Sequence, residues 1–362
     1  AIINDILDFS KIEAGRMELE ILDFDLLDLL EDLAAALAIK AHEKGLELVC
    51  DADPRAPTRL RGDPGRLRQV LTNLAGNAIK FTHQGEVAVR AEAADETADK
   101  VMLRFSVRDT GIGIPREKMS QLFEKFTQVD ASTRRKYGGT GLGLAISRQL
   151  TALMEGEIGV DSIEGRGSEF WFTARLGKQT EGVRPDLPPP AELRDLKVLI
   201  VDDNAASREI LTTRLSWWGM RPVEASDGPG ALLALQLALE EHDPIRVALI
   251  DMQLPGMDGQ DLGRIIREDQ RLADVRLVML TSLARGGDLK NMENIGFAAY
   301  LTKPVRHQEL KGVLALTLAD QERGRFSSIL TSYSARNLVG PFTGNRARIL
   351  LVRSEERRVG KE

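Results

Sequence analysis

The feature that most constrains this chain is a strand–helix unit that repeats five times within residues 196–318. Three of the five predicted strands are short runs rich in Val, Ile and Leu, which is typical of strands covered on both faces of a parallel sheet. The predicted strands are residues 197–201, 221–224, 247–250, 277–280 and 298–301. We therefore predict a doubly wound α/β domain built on a parallel sheet.

Acidic and hydrogen-bonding residues stand where these strands end. Asp202 and Asp203 follow the first strand, and Asp251 follows the third. Thr281 ends the fourth strand, and Lys303 follows the fifth. Because the carboxyl ends of parallel strands form the ligand crevice, we expect these side chains to converge. Three carboxylates in one crevice repel one another and require a cation, most simply Mg²⁺. One such residue alone could be a helix cap or a surface charge, but together they predict a site where a hydroxyl and an ammonium hold a phosphoryl group on Asp251.

A Pro-rich connector separates this domain from the residues before it. Residues 180–192 include Gly182, Pro185 and three consecutive prolines, and they read as a stiff polar linker. At roughly 150 residues per domain, a chain of 362 residues predicts about two domains.

Composition excludes several other classes of protein. Hydrophobic residues make up 43% and charged residues 29%, which excludes a disordered or collagen-like chain. A net charge of -6, with no basic recognition helix after the second domain, argues against nucleic acid as a partner. The single cysteine, Cys50, with four histidines excludes an internal disulfide and a zinc site of the usual spacing, and it favours a reducing cytosol. No apolar run approaches the ~20 residues that span a bilayer.

The first half of the chain mixes helical and strand patterns. Apolar residues recur near every 3.6 positions in three segments, and alternate in two others before a closing hairpin. The predicted helices are residues 27–44, 66–81 and 142–155, and the predicted strands are residues 86–92, 101–109, 157–163 and 169–174.

Four segments of this half carry polar or glycine-rich motifs. In the helix of residues 66–81, Asn73, Asn77 and Lys80 share one face. Two amides and an ammonium suit a phosphate with its metal, although this stripe alone would suit a solvated surface equally well. The motif of residues 109–114, Asp-Thr-Gly-Ile-Gly-Ile, follows a strand and places a carboxylate beside backbone free of side-chain bulk.

The other two motifs are glycine-rich. Residues 138–144 open a helix, where free N–H groups and the helix dipole favour phosphate, and residues 165–168 lie at a strand turn. Neither glycine loop matches a P-loop or the Gly-x-Gly-x-x-Gly dinucleotide pattern.

In this order, the four segments resemble the catalytic and ATP-binding domain of sensor histidine kinases, within the GHKL ATPase superfamily. The resemblance spans residues 17–176 and implies a two-layer α/β sandwich, the Bergerat ATP-binding fold. It implies that Asn77 ligates Mg²⁺, that Asn73 and Lys80 contact phosphates, and that Asp109 accepts a hydrogen bond from the adenine amino group. It also implies that residues 122–126 are the F box of this family, a motif with two phenylalanines, followed by an ATP lid containing Tyr137. The further nucleotide contacts that it implies are Gly111, Gly113, Arg135, Gly139, Thr140, Gly141, Leu142, Gly143 and Ser168.

The second domain resembles a response-regulator receiver, a flavodoxin-like doubly wound (βα)5 fold, over residues 196–318. This resemblance implies that Asp251 accepts a phosphoryl group from a phosphohistidine, and that Asp202 and Asp203 hold Mg²⁺ with it. Thr281 and Tyr300 would form the switch pair.

The two ends of the chain resemble parts of further domains. Residues 1–16 carry an apolar helical stripe and resemble the end of the second helix of a dimerisation and histidine-transfer domain, whose phosphoacceptor histidine would precede residue 1. His42 lacks the acceptor motif, so we expect no autophosphorylation of this chain by itself. Residues 319–346 read as a linker, residues 347–352 resemble the first strand of another receiver, and residues 353–362 fit no part of that fold.

These resemblances predict the kinase and receiver portion of a hybrid sensor histidine kinase. Its domains are predicted at residues 17–178 and 196–318, joined by residues 179–195. The intact protein would be a homodimer that uses ATP and Mg²⁺ and transfers phosphoryl from ATP to histidine and then to Asp251. A histidine-containing phosphotransfer protein or a response regulator would follow downstream. This portion would be cytoplasmic, with an inner-membrane anchor of the intact protein left open. The alternative is an ATP-binding module fused to a receiver that acts as a phosphorylation-gated scaffold without kinase activity.

Overall fold

The computed structural model describes residues 2–14, 16–124, 141–179, 193–282 and 286–319. The first domain contains a seven-stranded sheet of order β1-β3-β7-β5-β4-β2, with β6 paired to β7. Among the described strands of this domain, β2 and β4 are the one parallel pair, and the other pairs are antiparallel. The strands are Leu22–Asp25 (β1), Glu47–Ala52 (β2), Arg59–Gly62 (β3), Glu86–Glu96 (β4), Lys100–Asp109 (β5), Ile158–Ile163 (β6) and Gly167–Lys178 (β7).

The helices of the first domain cover one face of this sheet. The described helices are Ile2–Glu13 (α1), Leu26–Glu43 (α2), Pro64–Phe81 (α3), Arg116–Met119 (α4) and Gly143–Leu153 (α5). Fully buried Leu residues of α2, α3 and α5 pack on alternate residues of the strands, among them Phe105 and Phe172, whose rings stack with centroids 4.8 Å apart. The result is the two-layer α/β sandwich predicted from the sequence.

Helix α3 is fixed at both ends by side chains. Asp63 caps its N-terminus by accepting a hydrogen bond from the Arg66 N–H at 2.9 Å. At its C-terminus, Nζ of Lys44 donates to the carbonyls of Ile79, Lys80 and Thr82 at 2.7, 2.8 and 3.2 Å. A cation among the last carbonyls of a helix satisfies groups that have no partner within the helix and complements the helix dipole.

The second domain is an open sheet of five parallel strands in the order β12-β11-β10-β8-β9. That order is 5-4-3-1-2 within the domain, the flavodoxin-like topology. Its elements are Lys197–Val201 (β8), Ala205–Trp217 (α6), Arg221–Ala225 (β9), Gly228–Glu240 (α7), Val247–Asp251 (β10), Gly259–Glu268 (α8), Arg276–Thr281 (β11), Gly286–Ile295 (α9), Ala299–Thr302 (β12) and His307–Ala319 (α10). Two separate hydrophobic clusters, one on each face, bury the sheet.

The predicted elements of both domains are confirmed, with ends that differ by a few residues. Strands β1, β2 and β3 were not predicted from the sequence. Two of these strands have only four residues, and β2 contains acidic residues at both Glu47 and Asp51, so none shows a clear apolar alternation. Their pairing depends on partners distant in sequence, for example β2 with β4.

Helix α1 contacts the first domain as well as solvent. Ile12 packs against the core, and Asp8 accepts hydrogen bonds from Arg66 at 3.1 Å and from Gln69 at 2.9 Å. Leu7 is 53% exposed. The apolar stripe predicted for residues 1–16 is therefore only partly available to another helix at the positions whose side chains are described. Among the described helices, none is long and apolar enough to cross a membrane.

The second domain packs against the sheet face that the helices leave free. On β2 and β4, Val49 and Ala88 point away from the helical core yet are buried. Around them, residues of the first domain pair with residues of the second. The pairs are Asp51 with Arg214, Arg90 with Glu209, Glu86 with Asn204, and Glu47 with Lys303. A further hydrogen bond, from the His307 N–H to Glu31, joins the second domain to helix α2.

Candidate functional site

Three carboxylates converge at the carboxyl end of the second sheet. Asp202 follows β8 and Asp251 ends the adjacent strand β10, so parallel pairing of these strands brings the two side chains together. Their ligand oxygens and one from Asp203 all lie within 4.8 Å of one another. Asp202 and Asp251 are buried, while Asp203 is exposed. The cluster is therefore open to solvent on the side of Asp203.

Lys303 joins this cluster from the far edge of the sheet. It follows β12, and its Nζ lies 2.6 Å from Oδ2 of Asp251 and 2.7 Å from Oδ2 of Asp202. Burial alone would lower the pKa of Lys303, but Asp202, Glu47 and Asp251 together raise it. Burial raises the pKa of Asp251 to about 6, opposed by Lys303 and reinforced by Asp202. The ammonium is thus held in its charged form against the carboxylates.

Residues at the start of helix α6 hold Asp202 in place. Ser207 donates its hydroxyl to Oδ2 of Asp202 at 2.7 Å, and the Asn204 N–H donates to Oδ1 at 2.9 Å. Arg208 donates to the Asp202 carbonyl at 2.6 Å. These supporting residues were not predicted from the sequence. The available signal was a hydroxyl and a cation, Ser207 and Arg208, in the first turn of the helix after the strand.

This arrangement fits a hard divalent cation. Three carboxylates in one cluster exceed the charge that Lys303 can neutralise, and carboxylate oxygens are the donors that Mg²⁺ takes in proteins. Asp202, Asp203 and Asp251 are the residues that would hold it.

The two residues predicted to form a switch pair lie on the strands β11 and β12. Thr281, at the end of β11, is 1% exposed, and its hydroxyl lies 3.4 Å from the sulfur of Met252. Tyr300 is half-buried on the neighbouring strand β12, opposite Met279 in register. Thr281 therefore lies on the strand next to β10, and Tyr300 lies one strand further out, each at the strand position expected from the sequence.

The other candidate site begins at Asp109, the last residue of β5. Asp109 is 5% exposed, and its carboxylate accepts a hydrogen bond from the Gly111 N–H at 2.8 Å. Burial raises the pKa of Asp109, opposed by hydrogen bonds from the Gly111 and Ser168 N–H groups. Antiparallel pairing of β5 with β7 places Asp109 opposite Ser168. A buried acceptor at a strand end suits the amino group of a purine.

The glycines beside Asp109 are required by close backbone approach. A Cβ on Gly111 would lie 2.6 Å from the Phe81 carbonyl oxygen, closer than any real side chain allows. Gly113 has φ +66°, and a Cβ there would clash with the Ile163 carbonyl. Ser162 ties the two turns together, because its hydroxyl accepts from the Ile114 N–H at 2.8 Å and contacts the Ser168 hydroxyl at 2.9 Å. Ser162 was missed because it lies in no motif.

Helices α3 and α5 form another wall of this site. Asn73 donates its amide to the Ser147 hydroxyl at 2.9 Å, and a Cβ on Gly143 would clash with the Asn73 side chain. Asn77 and Lys80 are half-buried on the same face of α3. Burial lowers the pKa of Lys80, whose Nζ lies 5.1 Å from the centroid of the Phe81 ring.

The glycine-rich entry to α5 is described from residue 141 onward. Gly141 has φ +69°, and Leu142 is buried in the core. Arg135, Tyr137, Gly139 and Thr140 lie outside the described residues. The described part combines a buried carboxylate, tight glycine turns and a cationic side chain. These groups fit a purine nucleotide.

Comparisons with known proteins agree with both halves of this geometry. Residues 62–178 match the family model of histidine kinase-, DNA gyrase B-, and HSP90-like ATPases, and residues 198–315 match the response regulator receiver domain. The chain is 44% identical over 250 residues to the sensor protein GacS of Pseudomonas syringae pv. syringae, a match that covers 69% of this chain and 27% of the relative. It is 39% identical over 317 residues to the sensor histidine kinase AruS of Pseudomonas aeruginosa, covering 87% of this chain and 31% of the relative.

A solved structure also resembles both domains together. The crystal structure of full-length ShkA in complex with AMPPNP has a TM-score of 0.70 and 33% sequence identity, and the match covers 87% of this chain and 61% of ShkA. The chain spans 27% and 31% of the lengths of the two curated relatives above. With both family matches in this order and relatives that span both domains, the chain is homologous to hybrid sensor histidine kinases and joins their ATPase domain to a receiver domain.

Proposed function

We propose that this chain binds Mg-ATP in its first domain and accepts a phosphoryl group on Asp251 in its second, as part of a phosphorelay. The domains responsible are residues 17–178 and 196–318. In the intact protein, phosphoryl passes from ATP to a histidine and then to Asp251. A phosphotransfer protein or a response regulator follows downstream, and the kinase works as a homodimer.

The observation that carries this proposal is the contact of Lys303 with both Asp251 and Asp202, at 2.6 and 2.7 Å, inside a cluster of three carboxylates. An oxygen of Asp251 attacks phosphorus, forming a P–O bond as the bond from phosphorus to the donor nitrogen breaks. The electron pair of that bond leaves with the nitrogen. Lys303 stabilises charge on the transferred oxygens.

The neighbouring residues prepare Asp251 for this reaction. Asp202 and Asp203 would hold Mg²⁺ with Asp251; when bound, the metal offsets the charge of the carboxylates and the incoming group. Thr281 approaches the phosphoryl oxygen after transfer, and Tyr300 moves inward behind it.

In the first domain, the same proposal assigns roles to the residues of the nucleotide pocket. Asp109 accepts a hydrogen bond from the adenine amino group, and Gly111, Gly113 and Ser168 form the wall beside it. Asn73 and Lys80 contact phosphates, and Asn77 would hold the nucleotide-bound metal. The remaining phosphate contacts come from the loop before α5, at Arg135, Gly139, Thr140, Gly141, Leu142 and Gly143.

A small phosphodonor tests the receiver half directly. Acetyl phosphate with Mg²⁺ should phosphorylate Asp251 in the full chain, and borohydride trapping with mass mapping should locate the label there. Asp251→Asn should accept no label, and Asp203→Asn should be labelled more slowly at the same residue. Asp258→Asn is the matched control, because Asp258 is an exposed helix cap outside the cluster and asparagine also caps helices. Label on another residue, or full labelling with Mg²⁺ chelated, would contradict the proposal.

A further inference from the structure

A carboxylate of the first domain reaches the phosphoacceptor site of the second. Glu47, the first residue of β2, places Oε1 3.1 Å from Nζ of Lys303. The same Nζ contacts Asp251 at 2.6 Å. One ammonium group therefore joins a carboxylate of the ATP-binding domain to the residue that would be phosphorylated.

This contact is shielded from water, so its charges interact strongly. The Lys303 side chain is 8% exposed and that of Glu47 is 30% exposed. Buried or partly buried charge pairs are screened much less by salt than exposed pairs. A change of charge at Asp251 therefore acts on Glu47 as well as on Lys303.

The rest of the contact between the domains is also largely polar. Besides the hydrogen bond from the His307 N–H to Glu31, it includes three pairs: Asp51 with Arg214, Arg90 with Glu209, and Asn204 with Glu86. These pairs involve helix α6 and its N-cap, and none of them includes Asp251 or Lys303. Their own charges do not change when Asp251 is modified, so Glu47 is the member of the interface that responds to that change.

We propose that Glu47 makes this docking sensitive to phosphorylation of Asp251, so that the phosphorylated receiver separates from the sheet of the ATP-binding domain. The inference rests on the proposed function of Asp251. A phosphoryl group carries about two negative charges. Lys303 then pairs with the phosphoryl group, which lies next to Glu47. Repulsion between Glu47 and the phosphoryl group replaces the attraction between Glu47 and Lys303.

Linkage gives this proposal a second consequence. If phosphorylation weakens docking, then docking must weaken binding of a phosphoryl mimic to the same extent. Glu47→Gln keeps the shape and removes the charge, so it should bind beryllofluoride more tightly than the wild-type chain in the presence of Mg²⁺.

Amide hydrogen exchange of the full chain, with and without acetyl phosphate in Mg²⁺ buffer, tests the inference. The readout is the ratio of exchange rates in β2 and in α6 between the two conditions. For the wild-type chain we expect exchange to rise about fivefold or more on phosphorylation, the lower end of usual coupling energies. For Glu47→Gln we expect a ratio near one, whatever its rate without the phosphodonor.

Glu86→Gln is the matched control, because Glu86 pairs with Glu47 in strand register but contacts Asn204 rather than Lys303. It should keep the wild-type ratio. Two outcomes would overturn the inference while leaving the proposed function intact. One is an unchanged wild-type ratio when intact mass shows that Asp251 is labelled. The other is a Glu47→Gln ratio equal to that of the wild type. Absence of label on Asp251 would contradict the proposed function, and the inference would fall with it.

Discussion

The two sheets of this chain are covered differently, and each offers a different surface for function. The five-stranded sheet of the second domain has a hydrophobic cluster on each face, so only its edges and strand ends are accessible. The sheet of the first domain has its core on one face, and the other face presents charged residues such as Asp51 and Arg90. The first sheet can therefore serve as a docking platform, whereas the second concentrates its chemistry at one edge.

The two candidate sites differ in how many structural elements each one requires. Strand register alone brings together two carboxylates of the proposed phosphoacceptor site, because Asp202 and Asp251 lie at the ends of adjacent parallel strands. The nucleotide site instead combines a strand end at Asp109, a helix face at Asn73 and turns that need glycine. A site of the first kind tolerates changes elsewhere in its domain, while a site of the second kind depends on how several elements pack.

We expect the largest effect on docking of the second domain to the first sheet from breaking the buried ion pair between the two domains. Asp51 and Arg214 are each buried, with side chains 8% exposed. Asp51→Asn should leave the Arg214 charge unpaired and weaken docking by about 3–5 kcal/mol, while each domain stays folded. Faster amide exchange in β2 and α6, with both hydrophobic cores still protected, is the expected result.

An exposed ion pair close by is the control for this variant. Asp53 pairs with Arg55 at 2.7 Å, with side chains 26% and 79% exposed, so Asp53→Asn should change docking by less than about 1 kcal/mol. Equal effects of the two substitutions would show that the second domain is not held on this sheet face by a buried charge pair.

A smaller effect is expected at the helix that carries Asn77 and Lys80. Lys44→Met removes the cation from three carbonyls at the end of α3, which should lower the free energy of unfolding of the first domain by about 1–2 kcal/mol. Lys44 is the C-cap of helix α2. Lys40→Met, on the exposed face of α2, is the control and should change the free energy of unfolding little. Denaturant unfolding followed by circular dichroism measures both, and equal losses would show that Lys44 has no capping role.

How far the sequence predicts this molecule depends on which interactions are local. Three of the five strands of the second domain are continuous apolar runs, and the acidic residues that follow the first and third strands predict where its site lies. The three missed strands are short or interrupted by charge, and they form only through partners distant in the chain. Glu47 carries no motif, so its contact with Lys303 appears only once the two domains are placed together.

The motifs predicted residues of the nucleotide site, but the residues that support them were not predicted. Asp109 and the glycines stand in a recognisable pattern, whereas Lys44, Ser147 and Ser162 act through contacts with residues 38, 74 and 48 positions away in the chain. Such contacts follow from packing, which periodicity does not show.

Calorimetric titration of Mg-ATP into three forms of the full chain tests most directly the central claim, that nucleotide and phosphoryl acceptor occupy separate sites in the two domains. The wild-type chain and Asp251→Asn should bind ATP with equal affinity, because Asp251 lies in the other sheet. Asp109→Ala should show no measurable binding, because the buried acceptor for the adenine amino group is lost. Unchanged affinity in Asp109→Ala, or loss of ATP binding in Asp251→Asn, would contradict the account.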